Sequence, residues 1–263
     1  PAPNFSCCGL KVVAKSQDWE ALVPDDAPNA AHLRLGLGRL HETFAQAPLL
    51  GSLLDPSKAN KGDLFAADYR ILSELLKKAL AAERQTTIFS DEDERWELAL
   101  SAQGLLEAAR ILEERYHLVI TNVPYLGRGL QSEQLRDYCE SHYNHAKNDL
   151  ANVFLERCLE LSKPRGSGVV QVVMPQNWLF QPRYEKQRRH LLRHETFNLL
   201  ARLGTGAFET ITGEVVNVIL LIQTHQKVPD DWQICGIDAA HQSNVKDKTT
   251  QLMSGSFSMV FQL

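Results

Sequence analysis

No apolar run in the sequence approaches the roughly 18 residues that a bilayer-spanning helix needs. The N-terminus also lacks the basic-then-apolar pattern of a secretory signal. No membrane role is expected. Cysteine is scarce and unpaired: Cys7, Cys8, Cys139, Cys158 and Cys235 form an odd set without CxxC spacing. That pattern argues against a zinc site or a disulfide framework, so no metal is expected, and it fits a reducing cytoplasm. Adjacent Cys7 and Cys8 can be read as a redox pair, but two small buried residues in a short strand is the simpler reading. An excess of positive charge is absent as well. A net charge of −4 gives no global pull toward nucleic acid, so DNA affinity must come from a local patch or from parts beyond the chain.

What is present is ordinary for a globular protein. Apolar residues make up 44% and charged residues 23% of 263 positions, enough to bury one large core or two modest ones. The sequence opens Pro-Ala-Pro-Asn without Met and stops in Ser-Met-Val-Phe-Gln-Leu. It reads as a piece of something longer.

The first half is patterned for helices. Residues 5–13 predict a short strand interrupted by Gly9, and 18–29 a loop rich in Pro, Asp and Ala. Leu33, Leu37, Leu40 and Phe44 recur at helical spacing across 30–47, although Gly36 and Gly38 weaken that pattern. Gly36-Leu37-Gly38 lies too far from any strand to form a dinucleotide loop. Residues 51–62 read as a loop, and 64–83 and 91–114 as amphipathic helices, the second acidic at its start as the helix dipole favours.

The second half changes character. Strands are expected at 116–121, 169–174, 199–203 and 215–222. Helices are expected at 131–145 (in its first part), 149–162 and 182–195. Val169 to Met174 is almost wholly apolar or β-branched, the signature of a strand buried on both faces. Pro182 suits the first turn of a basic helix. Strand alternating with helix predicts an α/β fold with a mainly parallel sheet, and in such sheets ligands sit at the carboxyl ends of strands. One such end reads Thr121-Asn122-Val123-Pro124-Tyr125.

That turn suits the methylation of an exocyclic amine such as adenine N6. The lone pair of this nitrogen is delocalised into the ring, so it is a feeble nucleophile. A site helps by accepting hydrogen bonds from both amine protons, which favours a pyramidal nitrogen. Asn122 offers a side-chain carbonyl, and a main-chain carbonyl near Val123 or Pro124 offers the second acceptor. Pro124 stiffens the turn, and Tyr125 can stack on a flat base. The same residues also make an unremarkable turn after a strand.

The surroundings carry more. The segment YHLVITNVPYLGRG resembles the catalytic segment of amino-directed S-adenosylmethionine methyltransferases, usually (Asn/Asp)-Pro-Pro-(Tyr/Phe), with Val123 in place of the first proline. NDLANVFLERCLEL (148–161), GSGVVQVVMPQNWLF (166–180) and LARLGTGAFETITGEVVNVILLIQT (200–224) follow in the family's order. GSLLDP (51–56) fits as well. Together they resemble the large adenine-N6 DNA methyltransferases of restriction-modification and phage-exclusion systems.

The resemblance implies the C-terminal part of a Rossmann-like methyltransferase sheet with a helical insertion. Residues 1–29 would be a short strand and loop, 30–114 the helical insertion, 115–225 the catalytic half, and 226–263 the start of a target-recognition region. It implies S-adenosyl-L-methionine as cofactor, with double-stranded DNA and restriction or phage-defence subunits as partners. The family's glycine-rich donor loop and ribose-binding acid are not found.

By the same resemblance, Asn122, Pro124 and Tyr125 form the catalytic turn, and Val123 belongs to the substrate wall. Asp149 and Phe154 approach the donor, although Asp149 equally reads as a helix cap. Phe208 stacks on the extruded base or covers the core. Arg183, Lys186, Arg188, Arg189 and Arg193 meet phosphates or form a solvated face. Two readings stand beside this one. The first is a protein glutamine methyltransferase sharing the motif. The second is a non-catalytic DNA-binding or assembly module.

Overall fold

A computed structural model describes residues 6, 15–56, 104–207, 216–242 and 244–262. The strand expected at 5–13, Cys7 and Cys8, the helix at 64–83 and most of that at 91–114 lie outside these residues, as does Phe208. The chain divides into two compact units, 1–114 and 115–263.

In the first unit, α1 (Ser16–Glu20), α2 (Ala30–Phe44) and α3 (Ala47–Leu50) are followed by a tight turn at Gly51–Leu53, and 104–113 are helical. α1 lies where a loop was expected. Trp19, Leu33, Leu37, Leu40 and Phe44 are buried together with it, on the stripe that the sequence marks. Gly38 does not break α2. It faces α1, where a Cβ would meet the Glu20 carboxylate at 2.9 Å and the Ser16 hydroxyl at 3.2 Å. Those two side chains are hydrogen-bonded at 2.9 Å, Ser16 donating. The glycine is there for close packing.

The second unit is one sheet with helices. Its elements are β1 (Leu118–Asn122), α4 (Glu133–His142), α5 (Leu150–Leu161), β2 (Val169–Pro175), α6 (Glu185–His194), β3 (Thr196–Gly204), β4 (Val218–Thr224), β5 (Gln233–Asp238), α7 (Val245–Met253) and β6 (Ser258–Phe261). Ser132 starts α4 by accepting the Leu135 N–H, and Asn244 starts α7 by accepting that of Asp247.

The strand order is β1-β2-β4-β3-β5-β6. Only β1–β2 and β3–β5 pair in parallel; β2–β4, β3–β4 and β5–β6 are antiparallel. The expectation of a mainly parallel sheet is therefore corrected to a mixed one. The physical reason is the β3–β4 hairpin. β4 runs antiparallel to both β2 and β3, between which it inserts. By direction, β1, β2, β3 and β5 still run one way, so their carboxyl ends share one edge. Within residues 226–263, β5 and β6 extend the same sheet.

The core against α5 and α6 gathers Ala151, Leu155, Val170, Val172, Met174, Trp178, Leu191, Phe197, Ile219 and Leu221. Full burial of each such aliphatic side chain contributes about 1.5–3 kcal/mol.

Candidate active site at the carboxyl edge

Asn122 is the last residue of β1, in register with Val173 of β2. The ladder ends one residue on, where the Val123 N–H donates to the Val173 carbonyl at 3.4 Å. Strand alternation then turns Val123 into the core, 3% exposed, and leaves Asn122 and Pro124 at the surface. The apolar anchor at 123 is what aims the amide at 122 outward. Val123 therefore holds the turn from below, and its side chain contributes nothing to an open wall.

Tyr125 is half-buried against that core, and its hydroxyl donates to Asn122 Oδ1 at 3.4 Å. Burial, and then the nearby negative charge of Asp149, raise the Tyr125 pKa. The phenol is a neutral donor near pH 7. Oδ1 of Asn122 retains an accepting lone pair.

The chain beyond the turn is stitched to the approach of α5. The Arg128 N–H donates to the Asn148 carbonyl at 2.9 Å, and the Leu150 N–H to the Leu126 carbonyl at 3.0 Å. Gln131 Nε2 adds a bond to the Leu126 carbonyl at 3.0 Å. Asp149 accepts the Ala151 N–H at 2.9 Å and so caps α5. Its charge reaches both Tyr125 and Tyr184. Phe154 lies half-buried at the margin of the core.

The exit of β2 forms the next wall. Tight turns at Gln176–Leu179 and Pro182–Tyr184 bury Trp178 and Tyr184 and leave Phe180 exposed. Asn148 Nδ2 donates to the Arg183 carbonyl at 3.2 Å, which joins this segment to the stitched loop.

The expected basic face divides. Arg183, Lys186 and Arg193 are exposed. Arg189 is exposed but paired with Glu185 at 2.8 Å. Arg188 is half-buried, and its Nη1 donates to the carbonyls of Trp178 at 2.6 Å and Gln181 at 2.7 Å. A half-buried guanidinium beside two carbonyls bonds to them, although that of Gln181 also accepts the Tyr184 N–H at 3.2 Å. Sequence reasoning missed Asn148, Trp178, Phe180 and Tyr184. The signal available for the last three was aromatic residues interleaved with arginine after a buried strand.

Other chemistries find less support. Burial pushes the Cys139 thiol up to about 11 and the Cys158 thiol up to about 12, so neither is a thiolate near pH 7. Among the described residues no three His, Cys, Asp or Glu side chains group as metal ligands. No described helix is long and apolar enough to cross a membrane.

The implied donor, S-adenosyl-L-methionine, carries a sulfonium cation. A carboxylate whose field reaches two aromatic rings suits such a cation. Asp149 and Tyr125 have the chemistry to hold that side of a donor, and Asn122 that to accept from an amine.

Known proteins give this arrangement a family. The chain is 30% identical over 172 residues to the adenine-specific methyltransferase PglX of Lacticaseibacillus casei (strain Zhang), covering 64% of this chain and 14% of that protein. It is 32% identical over 173 residues to the adenine-specific methyltransferase BrxX of Escherichia coli O9:H4 (strain HS), covering 66% and 13%. The chain thus spans about one seventh of the length of these relatives. Among solved structures, the DrdV–DNA complex aligns with a TM-score of 0.45 and 14% identity, over 63% of this chain and 19% of that one. Residues 39–208, more than half of the chain, match the model of the Eco57I restriction-modification methylase family, and to that family the chain belongs.

Proposed function

We propose that the chain supplies the amino-acceptor half of a DNA adenine-N6 methyltransferase in a restriction-modification or phage-defence system. The observation that carries this reading is the outward Asn122 amide at the end of β1, backed by buried Val123 and bonded to Tyr125.

The adenine enters extruded from the duplex. Asn122 Oδ1 accepts one N6–H and a main-chain carbonyl of the turn accepts the other. Both bonds pull lone-pair density out of the ring and onto N6. Tyr125 holds the ring plane, and Pro124 keeps the acceptors still, so positioning supplies most of the catalysis. When bound, S-adenosyl-L-methionine supplies an electrophilic methyl group and a neutral thioether leaving group. Asn122 and the turn carbonyl would hold the N6 lone pair toward that methyl group, and the proton N6 gives up on methylation would pass to water. Asp149 favours the sulfonium by charge, and no residue need act as a base of shifted pKa.

The test uses the full-length protein, double-stranded DNA and donor labelled in its methyl group. Asn122→Ala is expected to abolish label transfer while DNA binding persists. Transfer near the unaltered rate would overturn the assignment. Labelling of a protein glutamine with none in DNA would point to the sister chemistry.

A further inference from the structure

Phe180 is 63% exposed, although both ends of its short segment are anchored. Trp178 is 1% and Tyr184 0% exposed. The Arg188 guanidinium spans the segment, with Nη1 bonded to the carbonyls of Trp178 and Gln181 on either side of Leu179 and Phe180. A loop with nothing to present has no need of such a brace. Here the brace holds a large apolar ring out in water.

Its location narrows the purpose. β1 and β2 are neighbouring parallel strands, Asn122 in register with Val173. The loop bearing Phe180 therefore leaves the same edge as the catalytic turn. Exposed Arg183 and Lys186 follow it directly, and Asn148 ties the Arg183 backbone to the loop beyond the turn. An apolar ring followed by two exposed cations, fixed beside an amine-binding turn, has the chemistry of a side chain that enters a base stack while the neighbouring cations touch phosphates.

We propose that Phe180 is a wedge that enters the base stack of double-stranded DNA and stabilises the duplex with its target adenine extruded. The inference rests on the methyltransferase reading above and adds a DNA contact to it. Because Arg188 fixes the loop beforehand, little freedom is lost when the ring inserts. Arg188 is then a positioning residue.

The experiment measures methyl transfer by the full-length protein on two duplexes, one with the target adenine paired to thymine and one with it mispaired. A mispaired base is easier to extrude, so a wedge matters less there. Phe180→Ala is expected to lower kcat/KM on the paired duplex roughly five- to a hundredfold, the span of one base–aromatic stack. On the mispaired duplex it should come within about threefold of the unaltered protein. Phe180→Trp should keep activity on both, and the Tm of Phe180→Ala should be unchanged, since exposed substitutions alter stability little. Equal loss on both duplexes, no loss on either, or a Tm lowered by several degrees would each overturn the wedge. The second and third of these would mean a ring covered by protein. No transfer to either duplex by the unaltered protein would overturn the methyltransferase reading, and the wedge with it.

Discussion

The side-chain amides of Asn152 and Gln187 are buried against each other, Asn152 Nδ2 donating to Gln187 Oε1 at 2.7 Å. Gln187 Nε2 returns bonds to the Asn152 carbonyl at 3.2 Å and to Glu156 Oε1 at 3.1 Å. This pair locks α6 to α5, and hence the exposed basic residues to the helix that Asp149 caps. Gln187→Ala strands a buried donor, an expected cost of about 1–3 kcal/mol. Asn152→Leu combined with Gln187→Met should lose less than the two single changes summed. Urea unfolding of the four proteins tests this; strictly additive losses would disprove the coupling.

At the catalytic turn, the contact between Tyr125 and Asn122 is long, while the ring is packed on the core. Tyr125→Phe should therefore stay within a few-fold of the unaltered kcat/KM. Tyr125→Ala, which removes the stacking face, should lose roughly five- to a hundredfold. Steady-state methylation by the full-length protein separates the two. Equal damage from Phe and Ala would mean that the hydroxyl, and not the ring, does the work.

Lys248 is buried, and its Nζ donates to the carbonyls of Leu203 at 2.6 Å, Gln242 at 2.7 Å and Ala239 at 3.3 Å. It pins α7 and the turn after β5 to the end of β3. Lys248→Met keeps the volume but takes the ammonium from the Leu203 and Gln242 carbonyls, while that of Ala239 keeps the Gln242 N–H, at an expected cost of about 1.5–3 kcal/mol. The urea midpoint should fall with an unchanged m-value. An unaltered midpoint would show that water replaces the ammonium freely.

Glu195 sits between α6 and β3, 7% exposed, with His225 Nε2 3.8 Å from Oε1 and Ser162 beyond, its hydroxyl 3.0 Å from His225 Nδ1. Burial pushes the carboxyl up to about 8, far above its unfolded range near 4.3. Between those values the folded state holds a proton that the unfolded chain releases, so stability falls as pH rises through the window. Tm should drop from about pH 5 to about pH 8.5, and Glu195→Gln should flatten that slope. Equal slopes in both proteins would remove Glu195 as the cause.

Several elements were legible because their signals are local. Val169–Pro175 is apolar but for Gln171 and forms the expected strand, although its burial alternates, with Val170, Val172 and Met174 buried and Val169, Gln171 and Val173 only partly so, where burial on both faces was expected. Leu150–Leu161 carries its own apolar stripe and its own Asp149 cap. The end of β1 at Asn122 was legible as a turn, because a proline two residues past an apolar strand stops the ladder there. Missing from local pattern was every partner chosen across the fold. Arg188 looked like one more cation on a basic helix until Trp178 and Gln181 presented their carbonyls to it.

The sequence by itself determined α2, α4 to α6 and β1 to β4, and it argued against a disulfide scaffold, since composition and periodicity act between neighbours along the chain. Tertiary structure decided the strand order, the inward anchoring of Val123 and the partners of Arg188. Those depend on which backbone groups and charges meet across distances such as the 35 residues between Asn148 and Arg183. A buried polar group takes whichever partner the fold brings within reach, and no local pattern records that choice.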